Sequence, residues 1–324
     1  MQPLEFYQKV FLNYLEEKTS YKEPRNLYDP ITYILHLGGK RLRPVLVLVS
    51  AELFGTQYKK ALSAAMAVEV FHNFSLVHDD IMDQAPLRRG KPTVHEKWDV
   101  NTGILSGDAM LINSYQFLEA YDGMVLARLF QLFNTTAIEV CEGQQLDIDF
   151  ESRSDVTVSE YLEMITLKTS VLIAAALKMG GIIAQATIEN QNLLYAFGQN
   201  LGIAFQLQDD YLDAFGDPKT FGKQVGGDIL ENKKTFLYLK AMELASVEDR
   251  NTLLTLFTGK SETPEEKVRT VKTIFTTSGA KDRILQEVEK YTDMAFKCLN
   301  EIKVVEEDKA ILYDFGTALL HRSR

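Results

Sequence analysis

The chain has 324 residues, 46% hydrophobic and 25% charged, an ordinary globular composition long enough for one large domain or two smaller ones. Its formal net charge is −10 and no Lys/Arg-rich block overrides it, which argues against nucleic acid as a partner. Two cysteines, Cys141 and Cys298, lack CxxC or zinc spacing and fit free thiols in a reducing compartment, so a cytoplasmic location is expected.

Helical periodicity dominates, and no convincing strand alternation emerges. The opening MQPLEFYQKVFLNYLEEK carries acids early and reads as an amphipathic helix over 4–18, not a signal peptide. Helices follow over 28–37 and 41–54; Gly38-Gly39 supplies a left-handed cap between them, and Pro44 sits early enough that its missing N–H costs little. The pattern continues over 58–82, 101–121, 124–149, 158–178, 180–187 and 190–215. The run VLIAAALKMGGIIAQATI is interrupted by Lys178, two glycines and Gln185, so it reads as a core helix with no membrane span. Asp217-Pro218 closes the last of these, and helices over 227–245, 248–257, 264–278, 280–302 and 307–321 complete the chain. No Ser/Gly/Pro linker divides it. One all-α domain over 1–324 is expected.

Two acidic clusters stand out. In LVHDDIMDQAPLRRGKPT, Asp79, Asp80 and Asp83 lie at the end of a predicted helix, with Arg88 and Arg89 just beyond. Asp79 and Asp83, four residues apart, share one face about 6 Å apart along the axis, and His72 lies one heptad before Asp79. Such a pair suits a hard divalent cation completed by phosphate oxygens, although a solvated acidic helix end would explain a single cluster equally well. The apolar VFHNFSLV before it draws this helix into a core. FQLQDDYLDAFGD repeats the spacing with Asp209, Asp210 and Asp213, and Gln206 lies on the same face as Asp209 and Asp213. Lys223 and Lys233 follow. Were the clusters to face each other, each close pair would cost roughly 2–3 kcal/mol at ~6 Å and an effective dielectric of about 20. Bound cations would make that arrangement sensible.

With GGKRLRP at 38–44, GDAML, EGQQLD, LKTS and FGKQVGGDILENKKT, these segments resemble the trans-isoprenyl (polyprenyl) diphosphate synthases, of the short-chain farnesyl or geranylgeranyl type, over nearly the whole chain. The resemblance implies an isoprenoid-synthase-type helical bundle around a central cavity faced by both clusters. It implies about three Mg²⁺ ions, with Asp79, Asp83 and Asp209 as direct ligands and Asp80, Asp210 and Asp213 supporting them. Arg88, Lys168, Gln206, Lys223 and Lys233 would hold the diphosphate of the allylic substrate (dimethylallyl, geranyl or farnesyl), with Thr169 nearby. Lys40, Arg43, His72 and Arg89 would hold isopentenyl diphosphate. Lys168, Thr169 and Gln206 would also steady the allylic cation.

Residues four and five before the first aspartate, Ser75 and Phe74, with Phe71 a turn deeper, would form the chain-length floor and give a C15 or C20 product. Phe71 and Phe74 are open to a second reading as plain core aromatics. A homodimer is expected, and closure of the loop after residue 216 and of the terminal HRSR. His36, His95 and His321 read as structural or exposed, and His78 as a neighbour of the metals. Asp108 reads as a cap or structural contact, and Asp228 as ordering the lysine loop. Gln144 and Asp147 are balanced between cavity and surface, while Asp149 and Glu151 look solvated. Competing readings are a class I terpene synthase, which would lack the second DDxxD and the isopentenyl pocket, and a non-catalytic partner subunit, which would lose one or both aspartate motifs.

Overall fold

Helices that are apolar on every side have to be enclosed by other helices, and two of these segments show it. The structure, a computed structural model, describes residues 1–19, 22–217, 226–259 and 263–320. It divides into two compact units: Met1–Asn134 with Ala175–Leu194 and Lys303–Ile311, and Thr135–Ala174 with Tyr195–Ile302 and Leu312–Arg324.

In the first unit the order is α1 (Leu4–Lys18), α2 (Arg25–His36), α3 (Leu42–Leu53), α4 (Leu62–Met82), α5 (Val94–Lys97) and α6 (Val100–Gln116). The central helix is α4, buried without a break from Ala64 to Phe71 and packed by α3, α6 and α1. Its small residues let α3 and α6 come close. Tyr7, Phe11 and Leu15 recur every four residues and bury the inner stripe of α1, which also lies on α3.

The remaining helices are α7 (Gly123–Ser152), α8 (Val158–Ile165), α9 (Val171–Ile183), α10 (Ile188–Phe215), α11 (Gly227–Leu230), α12 (Phe236–Leu244), α13 (Val247–Thr258), α14 (Pro264–Thr277), α15 (Ala280–Glu301) and α16 (Glu306–Leu320). The second unit's core gathers Phe150, Tyr161, Leu207, Phe236, Phe275 and Ile284, with α12 packed on α8 and α15. Between α8 and α9 lies a π-helical turn, Thr166–Ser170. Its neighbours leave it no slack: a Cβ on Gly143 would stand 2.2 Å from the Lys168 nitrogen, and one on Gly202 would stand 2.8 Å from the Ser170 Cα.

The expected helices are present with different punctuation. The segment 158–178 is broken by the π turn, and α9 runs through the first residues of the separate 180–187 helix that the glycines suggested. Helix 58–82 begins as a 3₁₀ turn, Tyr58–Ala61, and Asp83 is the C-cap of α4. The segment 227–245 is two helices, interrupted where Asn232 takes a positive φ of 59°. The sequence also hid a hairpin. Leu87–Arg88 pairs antiparallel with Lys91–Pro92 across Arg89 and Gly90, both left-handed with φ of 52° and 73°, the geometry of a two-residue primed turn. Helical segments Val158–Ile183 together are long and apolar enough to cross a membrane, but 72% of the most apolar window is buried within the protein, as the core reading expects.

Candidate active site

In the first unit, α4 carries its acids where the helix ends. Asp79 is partly exposed and Asp83 exposed, whereas Asp80 is 1% exposed. The hairpin explains the difference. It folds Arg88 back so that its Nε lies 2.9 Å and 2.7 Å from the two Asp80 oxygens, with Nη2 also 2.7 Å from Oδ1. Burial raises the Asp80 pKa, and the Arg88 hydrogen bonds oppose that shift. Asp80 therefore anchors Arg88, while Asp79, 3.8 Å from Arg88 Nη2, and Asp83 remain on the open side.

Beside them is a concentration of positive charge. His72 Nε2 lies 3.2 Å from Arg43 Nη1. Burial and then the nearby Arg43, Arg89, Arg88 and Arg41 hold the His72 pKa well below its usual value, so the ring is neutral at pH 7. Burial also depresses the Arg43 and Arg89 pKa values, with Arg89 adding to the effect on Arg43 and Arg41 to that on Arg89. Arg89 donates to the Gly38 carbonyl, and its guanidinium lies where a Cβ on Gly39 would sit, 2.7 Å from Cζ. Gly39 is thus required for that approach, and its φ of +115° is one a larger residue resists. Lys40 is exposed in the same loop, its carbonyl accepting from Gln8 at 3.2 Å. This gathering of like charge suits a polyanion. Arginines offer paired donors matched to phosphate oxygens.

Below the aspartates runs a stack of rings. Phe74 lies 4.9 Å from the His78 ring and 5.4 Å from Phe71, and Phe71 lies 5.4 Å from Phe133. Phe71 and Phe74 are buried, and the Ser75 hydroxyl is turned to the His72 carbonyl at 2.9 Å. Asp108 stands in mid-α6, 3.9 Å from His78, so it makes a structural contact and caps nothing.

The second unit repeats the arrangement with different chemistry. On α10, Asp209 and Asp213 are partly exposed and Asp210 is 5% exposed. Asp210 accepts from the Tyr161 hydroxyl at Oδ2 and from Gln206 Nε2 at 3.2 Å on Oδ1. Asp213 receives the Asp228 amide at 3.1 Å and the Gly226 amide on its carbonyl at 2.6 Å, which ties α11 to the cluster. Asp228 accepts the Lys233 amide on its own carbonyl at 2.9 Å, and its carboxylate lies 3.9 Å from Lys233 Nζ. It is also a fourth carboxylate of the cluster. Lys168, on the π turn with Thr169, lies 2.5 Å from Asp147 on α7. Lys233 lies 2.9 Å from Glu231; burial pulls its pKa down, but Glu231 and Asp228 more than offset this and raise it. Lys223, the rest of residues 218–225 and HRSR with His321 lie outside the described residues, and with them the expected closures.

Burial first, and then Asp213, push the Asp228 carboxyl up to about 6 despite Lys233. A raised carboxyl pKa means the unfolded chain ionises first, so this group lowers stability as pH rises from about 4 to 6 and keeps the penalty above that. At 1.36 kcal/mol per unit the penalty is at most about 3 kcal/mol. Asp228→Asn should therefore raise the melting temperature of ligand-free protein by about 5 °C at pH 7.5. The gain should shrink as pH is lowered toward 4, checked by calorimetry across that range.

Three features escaped sequence reasoning. Tyr161 sits in an unremarkable amphipathic helix. Asp228 acts in the cluster only through the turn at Gly226. Arg41 is buried and paired with Glu69, which Asn73 Nδ2 also meets at 3.0 Å, and with the Leu35 carbonyl. A lone Glu69 inside AAMAVEVFHNF was the available signal for that last pair.

The polyprenyl synthetase family model matches residues 24–275. The chain belongs to the polyprenyl synthetase family. It is a prenyltransferase with the all-α isoprenoid synthase fold that the residues led one to expect. Among polyprenyl synthetases, the geranylgeranyl diphosphate synthase of Sulfolobus acidocaldarius is 40% identical over 280 residues, 85% of this chain and 84% of its own. The geranylfarnesyl diphosphate synthase of Natronomonas pharaonis is 40% identical over 248 residues, 71% and 72% of the two chains. A solved geranylgeranyl pyrophosphate synthase is 54% identical, with a TM-score of 0.95 and 100% of each chain covered.

Proposed function

We propose that residues 1–324 act as one polyprenyl synthetase domain that condenses isopentenyl diphosphate with dimethylallyl, geranyl and farnesyl diphosphates to a C20 product. The observation carrying this reading is the common build of the two clusters. In each DDxxD the second aspartate is buried with both oxygens engaged, and the first and last are less buried. A partner subunit without catalysis has no use for two such arrangements, and a terpene synthase has none for the arginine–histidine cluster.

Among the described residues no three His, Cys, Asp or Glu side chains are arranged to hold a metal alone. That fits Mg²⁺, which commonly takes one or two carboxylates and completes its shell with substrate phosphate and water. Asp79, Asp83 and Asp209 would hold about three ions, backed by Asp80, Asp210 and Asp213. Bound there, Mg²⁺ supplies Lewis-acid stabilisation of charge collecting on the leaving diphosphate. Arg88, held in place by Asp80, and Lys168, Lys223 and Lys233 bind that same diphosphate. Lys40, Arg43, His72 and Arg89 hold isopentenyl diphosphate apart from it, with neutral His72 donating a hydrogen bond without adding charge. Once the allylic diphosphate leaves, the isopentenyl double bond attacks the allylic cation and loses a proton to form the new trans double bond. The departing diphosphate takes that proton, so no side-chain base is required. Thr169 and Gln206 oxygens steady the cation, and apolar side chains keep water from quenching it.

Phe74 and Phe71 form the floor that ends growth. Phe74→Ala should lengthen the product by one or more five-carbon units, read by chromatography; an unchanged product series would put the floor elsewhere. The exposed Ile104, Leu105 and Ile112 of α6 and Met124 and Phe130 of α7 support a homodimer. Cys141 and Cys298, both free thiols, suit the cytoplasm. The test is incubation with isopentenyl diphosphate, Mg²⁺ and each of the C5, C10 and C15 allylic diphosphates. C20 from all three is expected. No elongation would restore the partner-subunit reading, and C25 would place the chain with the geranylfarnesyl enzymes.

A further inference from the structure

Among the described residues Asp210 has no cation as a hydrogen-bond donor: unlike Asp80, it is met by a phenol and an amide. The phenol is placed with care. A capping box starts α8, the Thr157 amide meeting Glu160 at 2.8 Å and the Glu160 amide meeting Thr157 Oγ1 at 3.2 Å. That fixes the first turn, from which Tyr161, 4% exposed, is packed into the second unit's core. Its hydroxyl takes up Oδ2 of Asp210, which turns Oδ1 to Gln206, one helical turn earlier on α10. Gln206 meets that oxygen with the NH₂ end of its amide. The opposite edge of that amide is its carbonyl oxygen.

We propose that Tyr161 and Asp210 form a positioning relay that locks the Gln206 amide with its carbonyl oxygen presented to the positive charge developing on the allylic carbon. The relay rests on the prenyltransferase reading and adds two residues that act through a third. Tyr161 and Asp210 touch neither substrate. Their work is to prevent the amide from flipping, since an NH₂ edge turned to the cation would oppose ionisation. A dipole held in advance of the reaction acts on the transition state without reorganising.

Two near-isosteric variants test it. Tyr161→Phe removes the donor that orients Asp210. Asp210→Asn keeps an acceptor for Tyr161 but turns a donor toward Gln206, which must then flip its amide. Each should lower kcat by about 10²-fold. In Tyr161→Phe, which leaves in place every aspartate that backs the Mg²⁺ ions, KM for both substrates and the Mg²⁺ concentration for half-maximal rate should stay within about twofold, the signature of an interaction made only in the transition state. Calorimetric binding of Mg²⁺ with inorganic pyrophosphate to this variant should equal that of the wild type. If Tyr161→Phe fails to fold, kcat of Asp210→Asn at saturating Mg²⁺ decides. Unchanged kcat in the variants overturns the relay. So does a raised Mg²⁺ requirement or weakened pyrophosphate binding in Tyr161→Phe, which would tie the phenol to metal binding. Wild-type protein that elongates nothing overturns the enzymatic reading and the relay with it, whereas active wild type with equally active variants overturns the relay only.

Discussion

Asp79→Ala and Asp209→Ala should each lower turnover by about 10³-fold while shifting the melting temperature by no more than a few degrees. The separation of the two effects follows from exposure. Both side chains are partly open to solvent and stand beside a buried neighbour that carries the structural hydrogen bonds, Asp80 in one case and Asp210 in the other. Removing either outer carboxylate also relieves repulsion in the ligand-free protein, so folding has little to lose. Asp80→Ala is the contrasting case: it releases the Arg88 guanidinium from a two-point grip and should impair stability and activity together. Steady-state kinetics at saturating Mg²⁺ beside thermal melts distinguish them. An Asp79→Ala enzyme within tenfold of wild type would mean the first cluster is only a solvated helix end.

Glu69→Ala should cost about 3–5 kcal/mol, the largest stability effect expected of a single substitution here. Glu69 and Arg41 are 2% and 5% exposed, and the arginine sits at the N-cap of α3 with a positive φ of 51°. Deleting the carboxylate leaves a buried guanidinium met, among the described residues, by the Leu35 carbonyl alone. Because α3 carries Arg43 and follows Lys40, the same variant should raise KM for isopentenyl diphosphate more than KM for the allylic substrate. Denaturant titration gives the first number and substrate titrations the second. Replacing the pair together, Arg41→Met with Glu69→Leu, should recover much of the stability, since a desolvated ion pair adds little over packed hydrocarbon of similar volume. Failure to recover would show that the pair also fixes the strained cap.

What the sequence made legible was whatever repeats. Apolar periodicity located nearly every helix, and the twice-used DDxxD spacing found both clusters, since four residues on a helix always share a face. What it missed depends on backbone that does not repeat. Arg89-Gly90 turns a hairpin although Arg-Gly is no usual turn signal, and that hairpin brings Arg88 back to Asp80 eight residues earlier. Gly180-Gly181 looked like a break between helices but lies within α9, where a Cβ on Gly180 would stand 2.0 Å from Ser50 Oγ; these glycines serve close packing. Tyr161 and Asp210 are 49 residues apart and meet only after packing, so no spacing rule could join them.

The π turn at Thr166–Ser170 is a place where this chain could lose length without losing register. Such a turn holds one residue more than the α-helix it interrupts and takes that residue up in a wider loop of backbone. Deleting one residue there would let α8 and α9 join as continuous α-helix with the same face of α9 still turned inward, so a circular dichroism spectrum would show no damage. What would vanish is the wide turn itself, and with it the direction in which Lys168 and Thr169 leave the backbone. Such a shortened chain should therefore fold well and turn over poorly.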